Sequence, residues 1–333
     1  MTNNSFPYSS IIDMFNKQAI SRSNEIYLLY PNQIDQQTYA TLTYKQFNEV
    51  TSHLAQQYSI KIHSIATNQI PVVCLLAKND ETYLLTIYAL LKLGVIVFPL
   101  SIRNSEAAII HLLEMSNASY LFYSDEYASV ANEVKIKFGS NIELYLLKQI
   151  DIDGLLYLGE STFKSIAENN DLDKYCIIFH SSGSTSFPKP IRLTIRCMFG
   201  WSESFALEMN NQFWANDDAV LSVLPLFHIL GMSVAIMMWY AGGAYALPLT
   251  ASFPPSPKEI ITSLQYLKIT KLLAVALILE EIIEWLHQYD DIGFQALACL
   301  KFVIYGGACC STDICNELIE HGVNVTNMYG STG

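Results

Sequence analysis

The chain has 333 residues, with 19 Lys and Arg against 31 Asp and Glu, so its formal net charge is −12. That balance excludes a nucleic-acid binder, which needs clustered cations against phosphate. Charged residues make up 15% of the chain and hydrophobic ones 51%, with a mean hydropathy of +0.24. Intrinsic disorder is thereby excluded as the main state, leaving a greasy globular chain, a membrane protein or a piece of something larger. In chain order, the apolar run Pro71–Ala77 suits a buried strand, and Asn79-Asp80 can cap a helix that runs to about Leu93 and stops at Gly94. Val95–Pro99 reads as a strand, Ser105 caps a helix to about Met115, and Tyr120–Tyr123 and Glu143–Leu147 are further strands. The polar, aperiodic stretch 151–173 reads as a linker between a first α/β subdomain, 1–150, and a second, 174–333. In the second, strands are expected at Tyr175–Phe179, Ile191–Thr194, Ala219–Val223, Ala244–Leu247, Lys271–Val275, Phe302–Tyr305 and Val323–Met328. Helices are expected at Met198–Met209, at Gly231–Tyr240, from Val275 to about Leu286, and at Thr312–Glu320. Strands alternating with helices predict mostly parallel sheets with helices on their faces.

The seven cysteines are odd in number and form no C-x-x-C, so neither a disulfide framework nor a metal site is expected. The polar start Met1-Thr2-Asn3-Asn4-Ser5 is unlike a secretory signal, and a reducing, cytoplasmic setting is expected. From Ala219 to Pro257 there is no Asp, Glu, Lys or Arg, and Ile229–Leu247 alone approaches the ~20 apolar residues of a membrane span. Pro225 and Gly242-Gly243 interrupt it, and no basic cluster flanks it, so buried core is the preferred reading.

The strongest motif is His180-Ser181-Ser182-Gly183-Ser184-Thr185-Ser186-Phe187-Pro188-Lys189-Pro190, which follows a predicted strand. From 181 to 189 it packs five hydroxyl residues, one Gly and one Lys into nine positions. Hydroxyls and backbone N–H groups in such a loop make an anion cradle, and Lys189 adds a point charge for a phosphate. The loop lacks the second Gly and Lys-Ser/Thr ending of a Walker A, and no G-x-G-x-x-G occurs. Ser186-Phe187-Pro188-Lys189 has the S-x-x-K form of penicillin-binding serine enzymes, but no S-D-N or K-T-G follows.

This loop resembles the S/T-S/T-G-S/T-T-G-x-P-K-G signature of the AMP-forming, adenylate-forming enzymes, which include acyl-CoA synthetases and peptide-synthetase adenylation domains. Three further blocks resemble that superfamily's, in its order: Leu224-Pro225-Leu226-Phe227-His228-Ile229-Leu230-Gly231, then Tyr305-Gly306-Gly307-Ala308, then Asn327-Met328-Tyr329-Gly330-Ser331-Thr332. Phe98–Ser105 with His111-Leu112-Leu113, and the Pro188-Lys189-Pro190-Ile191 ending, are similar to the adenylation domain of fungal-type carboxylic-acid reductases. The resemblance implies two stacked, mostly parallel sheets and a reaction of carboxylate with ATP and Mg²⁺ that gives acyl-adenylate and pyrophosphate. It also implies residue roles. Ser181, Ser182, Gly183, Ser184, Thr185, Ser186 and Lys189 would cradle the β- and γ-phosphates. Gly306, Gly307 and Ala308 would line the adenine and acyl sites, with Asn327 on the adenine amino group and Tyr329 stacked on the ring. Met328, Gly330 and Ser331 complete the nucleotide loop, and Thr332 would contact the α-phosphate. Phe227, His228, Ile229, Gly231 and Gly307 would form the acid pocket, with His228, Lys189 and Thr332 as the catalytic set. Amino-acid-activating relatives carry Asp where Ile229 stands, so the acid expected is an aryl, α-keto or fatty acid without a free α-amine.

The resemblance has gaps. The family has Gly at the positions of Ser186 and Pro190, and a Mg²⁺-binding Glu where Gly333 stands. The ribose-binding Asp block, the hinge and the lid subdomain with its Lys have no counterpart here. The expectation is therefore the N-terminal portion of a longer enzyme. Its thiol acceptor, either CoA or a carrier-protein phosphopantetheine, and any carrier and reductase domains would lie outside these residues. Two other readings stand at this point: a non-catalytic nucleotide- or acyl-binding domain, and a protein anchored through 219–257.

Overall fold

A computed structural model of the protein describes residues 6–33, 38–62, 70–161, 163, 171–181, 187–207, 216–250, 254–289 and 292–330. Helix α1 (Ile11–Ser21) starts where the Ser10 hydroxyl accepts the Asp13 N–H. Strands β1 (Ile26–Gln33) and β2 (Thr38–Thr43) pair antiparallel, and α2 (Tyr44–Lys61) begins at a capping box of Thr43 and Gln46. Then β3 (Val72–Leu76), α3 (Glu81–Lys92), β4 (Ile96–Pro99), α4 (Glu106–Ser116), β5 (Ala118–Tyr123), α5 (Ala128–Phe138) and β6 (Glu143–Leu146) alternate. Side chains of Asp80 and Ser105 cap α3 and α4, and Asn117 closes α4 at a φ of 54°. A short helix, α6 (Ile152–Tyr157), precedes β7 (Tyr175–His180), β8 (Pro190–Thr194) and α7 (Ile195–Leu207). The chain continues through β9 (Ala219–Ser222), α8 (Ile229–Ala241), β10 (Ala244–Ala246), α9 (Pro257–Tyr266), β11 (Lys271–Val275) and α10 (Ala276–Tyr289). It closes with α11 (Ile292–Ala298), β12 (Phe302–Gly306), α12 (Thr312–Glu320) and β13 (Val325–Met328).

Among the described residues these strands form two sheets, ordered β13-β12-β11-β9-β10-β1-β2 and β6-β5-β3-β4-β7-β8. Only the β1–β2 and β7–β8 pairs are antiparallel, so the α/β architecture of mostly parallel sheets flanked by helices is present. The sheets nevertheless cross the division expected at 150 and 174. The hairpin β1–β2 joins the sheet of later strands, where Leu28 pairs with Tyr245. The hairpin β7–β8 completes the sheet of earlier strands, where Val97 pairs with Ile177. The 151–173 stretch is also more than a linker: α6 buries Ile152 and Leu155 in the main core, and His53 Nε2 meets Gly159 O at 2.8 Å.

Most of the described part of the uncharged 219–257 run is buried core. Its helix α8 has 13 residues, is ended by Gly242 at a φ of 85°, and buries every side chain from Met232 to Trp239. Trp239 packs edge-on to Tyr27 at 4.4 Å and Phe15 at 5.4 Å, while the Tyr27 hydroxyl donates to Ala235 O at 2.9 Å. Each such burial is worth about 1.5–3 kcal/mol, which explains an apolar run without a bilayer. No helix among the described residues is long and apolar enough to cross a membrane.

Candidate nucleotide and acid site

The candidate residues gather at the carboxyl ends of strands from both sheets, the edge where parallel α/β folds bind ligands. On the six-stranded sheet, β7 ends at His180, which fixes the mouth of the Ser-rich loop. Its Nδ1 donates to Ser181 O at 2.9 Å, leaving Nε2 to accept the Ser101 N–H at 3.2 Å, with Asn104 Nδ2 at 3.3 Å. Burial lowers the His180 pKa, so the ring is neutral at neutral pH. The base of the loop is pinned by Ser181 N–H on Lys189 O and Lys189 N–H on Ser181 Oγ, both at 3.0 Å. Pro188 is buried and Lys189 exposed, and Phe187 stacks on His111 of α4 with ring centres 5.1 Å apart. Ser182, Gly183, Ser184, Thr185 and Ser186 lie outside the described residues.

On the seven-stranded sheet, β9 runs into the turn Leu224–His228. Asn79, just past β3 of the other sheet, accepts the buried Leu226 N–H at 2.6 Å and so ties the sheets together at the site. The His228 N–H bonds Pro225 O at 3.0 Å, and its Nδ1 caps α8 by accepting the Leu230 N–H at 3.3 Å. A neutral His228 must then carry its proton on Nε2. Desolvation, with His180 nearby, lowers the His228 pKa and keeps the ring in that neutral form. The turn has no room at Gly231: a Cβ there would sit 2.3 Å from Pro225 O. Phe227 is buried, Ile229 half-buried and His228 exposed.

The third and fourth blocks meet on adjacent parallel strands. Tyr305 is in register with Asn327 and Gly306 with Met328. A Cβ on Gly306 would lie 2.8 Å from Met328 O and 3.6 Å from Leu230 Cδ2, so the glycine lets the turn and the last strand close on one point. Gly307 turns the chain at a φ of 83°, which favours glycine. Gly307, Ala308, Asn327, Tyr329 and Gly330 are exposed around this point, Tyr329 at 95%. Ser331, Thr332 and Gly333 lie outside the described residues.

Sequence reading missed three contributors. Asn79 looks like a helix cap, but Asp80 takes that role and Asn79 holds the turn instead. His180 and the Ser101–Asn104 turn form the loop's support, and the His180 beside the hydroxyl run was the available signal. A cavity of about 900 Å³, lined by Val72, Ile96, Ala118 and Arg192, opens at the opposite ends of β3, β4 and β5 and is not part of this site.

A family model described as AMP-binding enzyme matches residues 15–333. The chain is 23% identical over 337 residues to a carboxylic acid reductase of Neurospora crassa, covering 97% of this chain and 31% of that protein. It is 29% identical over 314 residues to an adenylate-forming reductase of Aspergillus terreus, covering 87% of this chain and 28% of that protein. The chain thus spans less than a third of the length of either relative. A long-chain-fatty-acid-CoA ligase from Archaeoglobus fulgidus superposes with a TM-score of 0.80 at 17% identity, covering 98% of this chain and 65% of that one.

Proposed function

The chain belongs to the AMP-binding enzyme family, and from that premise we propose that it forms the nucleotide- and acid-binding face for ATP-dependent activation of a carboxylic acid as acyl-adenylate. Pyrophosphate leaves, and the acyl group then passes to a thiol of CoA or of a phosphopantetheine carrier. The observation that carries this reading is the convergence of the Ser181–Lys189 loop base, the Phe227-His228 turn and the Gly306–Met328 contact at one edge of both sheets.

In this reading the acid's carboxylate oxygen attacks the α-phosphorus, and positioning matters more than any protein nucleophile. His228, with Nδ1 held by the α8 cap, offers its Nε2–H to an oxygen of the reacting groups. Lys189 places an exposed cation at the loop's exit for the phosphates that depart. Tyr329 gives adenine a fully open aromatic face and Asn327 an amide for its edge. Thr332 and the hydroxyls of 182–186 would complete the phosphate contacts. Mg²⁺ would neutralise phosphate charge when bound with ATP. The described residues hold no group of three or more His, Cys, Asp or Glu that could hold a metal ion by themselves.

The acid is one without an α-ammonium. Ile229 and Phe227 border the turn, and the chain from 219 to 257 contains no Asp or Glu to pair with a cation. The reductase names of the relatives support delivery to carrier and reductase domains, with the thiol bound outside these residues.

The test is a titration with non-hydrolysable acyl-sulfamoyladenosines. An aryl or fatty-acyl analogue should bind at least about tenfold tighter than an aminoacyl one, since an unpaired buried ammonium costs more than 1.4 kcal/mol. Lys189→Ala should weaken the same analogue with added pyrophosphate by about tenfold, the worth of one charge-assisted contact. Equal or better binding of aminoacyl analogues overturns the substrate class. No binding of any analogue overturns the function.

A further inference from the structure

Cys310 and Cys315 take no part in the adenylation reading, yet both stand beside its adenine loop. Cys310 immediately precedes Ser311, the N-cap of α12, and Cys315 lies in the second turn. These are the two positions whose side chains meet in a hydrophobic staple. Both side chains pack against one core cluster, and the helix backbone fixes their spacing through Cys315 N–H on Ser311 O at 3.1 Å. The Cys315 thiol donates to the Tyr305 hydroxyl at 3.7 Å, and Tyr305 is in register with Asn327 on β13. Both cysteines are half-buried, neither sealed from solvent nor fully open, while their neighbour Cys309 is exposed.

We propose that Cys310 and Cys315 form a reversible disulfide that switches nucleotide binding at the adenine loop; the switching half rests on the adenylation reading above. The oxidant is a peroxide. The Cys315 thiol releases its proton, the thiolate attacks one peroxide oxygen, the O–O bond breaks, and the leaving hydroxide takes up that proton as water, giving a sulfenic acid on Cys315. The Cys310 sulfur then attacks the oxidised sulfur, and the S–S bond forms as the S–O bond breaks. Hydroxide and the Cys310 proton leave as a second water, so two thiols lose two electrons and one peroxide gains them. Burial beside Cys315 pushes the Cys310 thiol up to about 12, so Cys310 is not the sulfur that meets the peroxide first. Bond formation draws the sulfurs from non-bonded contact to about 2.05 Å. It pulls the 306–310 loop toward α12, and it removes the only hydrogen that Cys315 can give Tyr305. Tyr305 therefore loses its donor beside Asn327, where adenine would be read.

The experiment oxidises the whole chain with hydrogen peroxide, alkylates the remaining thiols and maps bridged peptides by mass spectrometry. In parallel, AMP is titrated into reduced, oxidised and dithiothreitol-rescued protein. Expected are a Cys310–Cys315 bridge, AMP binding weaker by about fivefold, the worth of one neutral hydrogen bond, and recovery on reduction. Cys309→Ser should leave all three results intact. Cys315→Ser and Cys310→Val, the second of which keeps an apolar staple, should abolish the bridge and the redox response while their melting curves report folding. A bridge through Cys309, or no bridge, overturns the proposal. A Cys310–Cys315 bridge with unchanged AMP affinity overturns the switch. Reduced protein that binds no AMP overturns the adenylation reading and the switch with it, while the mapping still decides the bridge.

Discussion

Asn79 shows how one residue can hold a site it does not chemically join. Its amide oxygen, buried just past β3, receives the Leu226 N–H of the turn that carries Phe227 and His228. That N–H has no water to turn to, so Asn79→Ala leaves a buried donor orphaned at about 1–3 kcal/mol. A lower urea midpoint with an unchanged slope is the expected outcome, accompanied by weaker binding of the acyl-sulfamoyladenosine analogue. An unchanged midpoint would show that the turn is held by Gly231 and the α8 cap alone. The sequence hid this role because Asn before a helix reads as a cap, and only a contact 147 positions along the chain reveals otherwise. By contrast, Gly306 and Gly231 were legible, since a motif that demands glycine at a fixed place announces a close backbone approach.

At the scale of elements, the start of α3 carries an acid in an unfavourable setting. Asp80 caps the helix by accepting the Tyr83 N–H at 3.0 Å, yet burial and the neighbouring Glu81 push its carboxyl from 3.8 up to about 7. Between these values the folded chain holds a proton that the unfolded chain releases. Stability therefore falls as pH rises through that window, and the full cost is present above pH 7. Asp80→Asn keeps the cap without the charge. It should raise the melting temperature at pH 8 by several degrees and leave it nearly unchanged at pH 4, as read by calorimetry at the two pH values. Equal effects at both would mean that the helix dipole, rather than burial, sets the state of this carboxyl. The strands from Pro71 onward and six of the helices there were legible because their apolar runs are unbroken, whereas α5, α6, α9 and α11 were not expected. The first sixty residues were not. β1 carries Pro31 and takes its parallel partner from β10, far along the chain, and α2 spreads its apolar residues among polar ones.

The whole molecule separates its chemistry from its structural charge. Two sheets exchange hairpins, which no local pattern can announce, because the partners of β1 and β7 lie in the opposite half of the chain. The described candidate residues sit at the carboxyl ends of the strands. At their amino ends, fully buried Lys271 and Asp218 form an ion pair, extended by Lys301 on Asp218 at 3.0 Å and by the Thr270 hydroxyl on Asp218 at 3.0 Å. At about 3.3 Å per residue, β9 and β11 hold this network roughly 13–17 Å from the site. Lys271→Met keeps most of the side-chain volume and leaves the Asp218 carboxylate buried with fewer donors, a loss of about 3 kcal/mol or more. The expected result is a large drop in the urea midpoint while AMP affinity, measured in the folded baseline, stays within about twofold of the parent. If affinity fell in proportion to stability, the two ends of the sheet would be energetically coupled. The strands would then transmit strain rather than insulate the site from it.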